Sequence, residues 1–219
     1  MMIISENKTA IVIGATGLIG SNLVRLLIEA EHISRIIVIT RKSIKYASEK
    51  VENHVINFAQ IGDHRDLFVG DILFSCLGTT AKQAGSVADQ RIVDLDYQYK
   101  AALIASEQGV KHYLLVSSSG ADQQSLSAYL KMKGELEAKV QDLAFQHISI
   151  LQPSLLLGQR EQSRLAEDLA SKVLPTLCKL PMLRRYRPIY GIEVAQKMVT
   201  LSCQPKRKFE RFSLDQVFP

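Results

Sequence analysis

Thr9-Ala10-Ile11-Val12-Ile13-Gly14-Ala15-Thr16-Gly17-Leu18-Ile19-Gly20 is the stretch that decides the fold: an apolar run enters a glycine turn and leaves it in a helical pattern. A buried strand, a glycine turn and a helix start in direct succession form the phosphate-binding corner of a dinucleotide fold. Gly14 permits the tight turn, Gly17 lets a pyrophosphate approach the backbone, and Gly20 lets the helix pack closely on the strand. Thr16, Leu18 and Ile19 complete the corner, where the helix N-terminus offers unpaired N–H groups and a partial positive charge to phosphates.

Outward from this corner, short β-branched runs alternate with longer helical patterns. Strands are expected at Thr9 to Ile13, Arg35 to Thr40, His54 to Asn57, Ile72 to Ser75, Tyr113 to Ser117 and Ile148 to Gln152. Helices are expected at Leu18 to Glu31, Gln60 to Phe68, Val87 to Gln108 and Leu126 to Phe145. Such alternation builds βαβ units with right-handed crossovers, hence an α/β, Rossmann-type doubly wound parallel sheet. After Gln152 the rhythm changes, and Pro153, Pro175, Pro181, Pro188 and Pro205 break the chain into short pieces. The expectation is one dinucleotide-binding domain over residues 1–219, with residues 153–219 forming a small cap on the substrate side.

The chain has 219 residues, 47% of them hydrophobic and 22% charged, with a net charge of +5. These are the proportions of a globular protein with room for a real core. No apolar stretch reaches the roughly 18 residues of a membrane span, and the start shows no leader pattern, so a cytosolic protein is expected. Cys76, Cys178 and Cys203 are odd in number and widely separated, which suggests neither a disulfide framework nor a zinc site. Between Lys172 and Arg211 the only acids are Glu193 and Glu210. A solvated face near an anionic cofactor outweighs a nucleic-acid surface there, because no aromatic RNA motif accompanies the charge.

The chemistry-bearing residues follow the fifth strand. It ends in Val116-Ser117-Ser118-Ser119-Gly120, and Tyr129-Leu130-Lys131-Met132-Lys133 opens the next helix. Ligands of a doubly wound sheet sit outside the carboxyl ends of the strands, so these serines face the reacting end of a bound cofactor. Spacing of four puts Tyr129 and Lys133 on one helix face. An ammonium beside a phenol favours proton transfer at neutral pH, and a serine hydroxyl would hydrogen-bond the substrate oxygen. Tyr46 and Lys50 share that spacing but follow the second strand, far from the reacting end. Tyr113 and Ser117 read as ordinary strand residues. Asp89, Asp94 and Asp96 read as solvating a helix flank. His54, His64, His112 and His147 read as strand-edge or helix-surface residues. Cys76 lacks a neighbouring base and reads as a small buried hydrophobe rather than a thioester-forming nucleophile.

Together the GATGLIG turn, the VSSSGAD strand end, the YLKMKGELE helix and the later QPSLLLG and RPIYG segments resemble the atypical branch of the short-chain dehydrogenase/reductase superfamily. The resemblance implies that Ser118 is the catalytic serine, with Ser119 as runner-up, Tyr129 the acid/base and Lys133 its support. It also implies that Cys76, Leu77, Gly78 and Thr79 lie along the adenosine-ribose and pyrophosphate side of the cofactor. Asn57 replaces the acid that contacts the adenine, and Val116, Pro153, Ser154 and Leu155 approach the nicotinamide end. Ser75-Cys76-Leu77-Gly78 departs from the usual Asn-Asn-Ala-Gly, and Asp94 stands where extended members carry an asparagine.

The turn after the second strand reads Thr40-Arg41-Lys42-Ser43, with no acid between Ile36 and Ile44. NAD-specific sites place an acid there, whereas an arginine accommodates a 2′-phosphate. NADP(H) is therefore the expected cofactor, NAD(H) staying open, with Arg41 and Lys42 on the phosphate. The expected activity is an NADPH-dependent reduction of a small carbonyl substrate. A redox-sensing regulator that uses cofactor occupancy to engage a protein partner is the main alternative, and an epimerase or dehydratase with bound cofactor is a third. Neither metal nor membrane is expected, and the oligomeric state is open.

Overall fold

A computed structural model describes residues 7–157, 185 and 187–219. Seven parallel strands form one sheet in the order β3-β2-β1-β4-β5-β6-β9. The strands are β1 (Lys8–Ile13), β2 (Ile33–Thr40), β3 (Val51–Val55), β4 (Ile72–Ser75), β5 (His112–Val116), β6 (His147–Gln152) and β9 (Phe209–Ser213). A separate parallel pair joins β7 (Leu156–Leu157) to β8 (Ile189–Tyr190). The helices are α1 (Leu18–Glu29), α2 (Ala81–Ala84), α3 (Val87–Arg91), α4 (Gln98–Glu107), α5 (Ala128–Gln141) and α6 (Gly191–Cys203). No described helix is long and apolar enough to cross a membrane.

The central strands are buried on both faces, which is why they read as near-continuous apolar runs. Side chains still alternate between two cores. Ile11, Ile13, Leu73, Tyr113 and Leu115 pack with Ala101, Leu136 and Val140 of α4 and α5. Ala10, Val12, Phe74 and Leu114 pack on the other face with Leu23, Leu27, Val194 and Met198 of α1 and α6. Strand order reverses at β1, so the carboxyl ends of β1 and β4 frame the crevice where such sheets bind ligands.

Several expected elements differ. The third strand runs from Val51, three residues before the expected start. It lies at the sheet edge, half exposed, so its polar Glu52-Asn53-His54 centre carries no apolar signal. The segment Phe58–Phe68 is a 3-10 helix interrupted by non-helical backbone at Gln60 and His64. The single helix expected from Val87 to Gln108 contains a π-helical turn at Ile92–Tyr97 between α3 and α4.

The tail also behaves differently. Within residues 187–219, α6 packs against α1 and β9 extends the sheet beside β6. α6 and β9 thus add to the Rossmann layers, and residues 158–184, where much of the expected cap falls, lie outside those described.

His112 corrects another expectation: it is buried, with Nε2 3.0 Å from Ser149 Oγ. Burial, reinforced by His147 and Lys8, pushes its pKa down to about 3. The unfolded chain therefore takes up a proton below the ordinary value of 6.5 that the fold refuses until about pH 3. Stability is full above 6.5 and falls by about 1.4 kcal/mol per pH unit below it. Urea unfolding should lose about 2 kcal/mol from this group between pH 6.5 and 5. The loss should be absent in His112→Gln; an equal pH dependence in the variant would refute the assignment.

Candidate active site

The phosphate corner is built by close approach. Gly14 has φ +81, and a Cβ there would stand 2.4 Å from the carbonyl carbon of Cys76 at the end of β4. A Cβ on Gly20 would lie 2.2 Å from Gly14 O, so α1 can begin only against a bare backbone. Gly17 is the N-cap of α1 and provides no side-chain cap, and the first turn contains no acid. The orphan donors of that helix end are left for an anion.

A crevice of about 900 Å³ extends from this corner. Gly14, Thr16, Gly17, Arg41, Lys42, Asn57, Cys76, Leu77, Gly78 and Thr79 all line it, as expected for a dinucleotide lying across the switch point. Gln83, Ala84, Asp89 and Tyr97 form a wall that sequence reasoning missed, because α2 and α3 are too short to show periodicity and Tyr97 ends the π-helical turn that shifts the helical phase. Asp89 is the only acid among the lining residues, against Arg41 and Lys42. The Arg41–Lys42 turn is pinned from β3. Asn53 accepts the Ile44 N–H at 2.8 Å and donates to Thr40 Oγ1 at 2.8 Å, while Thr40 donates to Lys42 O at 2.8 Å.

An adjoining cavity of about 310 Å³ shares Gly17 and Cys76 to Thr79 with the crevice. It brings together Leu18, Ile19, Val116, Ser117, Tyr129 and Lys133, with Asp94 and Gln90. Ser127 caps α5, accepting the Leu130 N–H at 3.5 Å, and sets Tyr129 in the first turn. Lys133 lies one turn on, buried, with its ammonium 6.0 Å from the Tyr129 ring centroid. Tyr129 itself is 37% exposed at the cavity mouth.

Three expectations change here. Asp94 does not solvate a helix flank: it is wholly buried, its Oδ1 2.9 Å from Lys133 Nζ and its Oδ2 accepting the Thr79 N–H at 2.9 Å. The π-helical turn shifts the helical phase and brings Asp94 inward, a device frequent at functional sites. Ser117, read as an ordinary strand residue, lines the cavity, whereas Ser118 does not and directs its hydroxyl to Ser119 O at 3.5 Å. Ser117 donates to buried Glu137, which also accepts from Gln152 Nε2 at 2.8 Å and pairs with Arg211 at 3.1 Å. Pro153, Ser154 and Leu155 line neither cavity; Pro153 O accepts the Ser119 N–H at 3.0 Å, and Ser154 donates to Arg187 O at 2.6 Å.

Cys76 lines the crevice, but its Sγ lies 4.0 Å from Met198 Sδ. Burial pushes its thiol up to about 12 against the opposing effect of Lys133. A thiolate nucleophile is disfavoured. Among the described residues no group of histidines, cysteines and acids could hold a metal ion.

The NAD(P)H-binding family model matches residues 14–172. Protein HTATIP2 of Rattus norvegicus is 38% identical over 176 residues, covering 78% of this chain and 72% of the relative. Protein FMP52, mitochondrial, of Coccidioides immitis is 35% identical, covering 88% of this chain and 84% of the relative. A UDP-N-acetylglucosamine 4-epimerase from Methanobrevibacter ruminantium M1 shares the fold with TM-score 0.70 at 17% identity, covering 95% of this chain and 77% of that one. The expected cytosolic location is overturned by the mitochondrial names of FMP52 relatives.

Proposed function

The chain belongs to the NAD(P)H-binding family, in the atypical branch of the short-chain dehydrogenases/reductases, and on that premise we propose that it is an NADPH-dependent oxidoreductase of a small carbonyl substrate. The observation that carries this reading is the continuity of the glycine crevice with a cavity holding Tyr129, buried Lys133 and Ser117. The crevice fits a dinucleotide: bare backbone at Gly14 and Gly20, an uncapped helix end and two cations. Bound there, the nicotinamide would supply a hydride to the substrate carbon.

The remaining work falls to this chain's side chains. Tyr129 donates its phenolic proton to the carbonyl oxygen, and its partial exposure lets solvent replace that proton. Lys133 sets its ammonium 6.0 Å from the Tyr129 ring centroid on the wall of the same cavity, where it supports the phenol as a hydrogen-bond donor to what binds there. Ser117 takes the serine role in preference to Ser118, because it lines the cavity and its hydroxyl is fixed by a hydrogen bond to Glu137. With its proton directed at a carboxylate, its oxygen is free to accept a hydrogen bond from the phenol or the product alcohol.

Arg41 and Lys42, on a turn without an acid, support the 2′-phosphorylated cofactor. Titration with NADPH and NADH, followed by thermal stability, should show stronger stabilisation by NADPH. Arg41→Ala should weaken NADPH by about tenfold, the worth of one charge-assisted phosphate contact, and leave NADH unchanged. Equal loss for both cofactors would refute the phosphate role of Arg41.

A further inference from the structure

Asp94 and Lys133 are the two charged side chains among the residues lining the reacting-end cavity. They form an ion pair of 2.9 Å, with side chains 1% and 3% exposed. A buried ion pair contributes little net stability, since desolvation offsets the attraction. Stability therefore does not account for one in a cavity wall. Each of its charges, partly shielded from water, acts more strongly on whatever enters than it would at the surface, and removal of either leaves the other uncompensated. Asp94 is also fixed in place, because its second oxygen accepts the N–H of Thr79, which lines both the cavity and the crevice.

A nicotinamide ring carries a positive charge when oxidised and none when reduced. Lys133 alone would repel the oxidised ring and leave the reduced one indifferent. We infer that Asp94 sets the balance between oxidised and reduced cofactor, cancelling the Lys133 charge so that the cationic ring can be held in the same cavity. This inference rests on the cofactor reading above. Neighbouring Cys76 adds no charge at neutral pH, since its thiol is pushed up to about 12. In the wild-type chain the pair is neutral, and release of the oxidised product is not forced by repulsion. Asp94 thus acts on the cofactor's charge rather than on the carbonyl, which makes it a positioning and tuning residue.

The test is calorimetric titration of the full chain with NADP+ and NADPH separately, in wild type, Asp94→Asn, Lys133→Met and the double variant. Asparagine is isosteric and keeps the acceptor for Thr79. Asp94→Asn should weaken NADP+ relative to NADPH by about tenfold, the order expected for one uncompensated charge in a partly shielded site. Lys133→Met should move the ratio the opposite way, and the double variant should return it to within about threefold of wild type. A loss of general structural support would lower both affinities together and leave the ratio unmoved. Any pattern other than opposite shifts in the single variants overturns the inference. A wild-type chain that binds neither cofactor form would instead remove the cofactor reading itself.

Discussion

Gly14→Ala should abolish NADPH binding and destabilise the fold by about 3 kcal/mol. The added methyl would stand 2.4 Å from the backbone of Cys76, an atom that cannot rotate away, and the residue would have to hold φ +81. Relief requires the ends of β1 and β4 to part, and those ends floor the phosphate corner. Urea unfolding followed by far-UV circular dichroism measures the stability loss, and the NADPH-induced rise in melting temperature measures binding. Gly109→Ala is the matched control: φ is +82, but nothing lies within 4 Å of the added atom. It should lose about 1 kcal/mol and bind cofactor normally. A Gly14→Ala chain with an undiminished NADPH shift would mean that the glycine turn serves packing alone.

Tyr129→Phe should reduce kcat by about a hundredfold to ten-thousandfold on any carbonyl that the wild type turns over from a panel of small aldehydes and ketones. The ring remains and only the proton donor is lost, so NADPH affinity should stay within about twofold. Loss of a positioned acid removes about two to four powers of ten. Full activity in the variant would remove Tyr129 from the chemistry. Wild-type binding of NADPH with no turnover of any panel member, and a protein partner released or captured on binding, would favour the regulatory alternative.

What could be read from residue order was local. The first strand, turn and helix are contiguous, and their glycines are demanded by contacts within the corner and with the neighbouring strand. Tyr129 and Lys133 share a face because α5 is a regular helix there. Asp94 was misread because a π-helical turn breaks the phase on which any prediction of facing depends. Ser117 lines the cavity and Ser118 does not because adjacent residues at a strand end point to opposite sides, which residue order alone leaves open. His112 is polar in a strand, and only its position between β4 and β6 determines that it is buried. α6 and β9 escaped notice because Pro188 and Pro205 flank the helix closely and β9, at the sheet edge, sets the charged pair Glu210 and Arg211 between Phe209 and Phe212.

β9 has a temporal consequence. The carboxylate that holds Ser117 is itself held by Arg211, and its Gln152 partner is fixed by Ser213 at 2.5 Å. The serine must wait for a strand translated far downstream before its carboxylate is fully anchored.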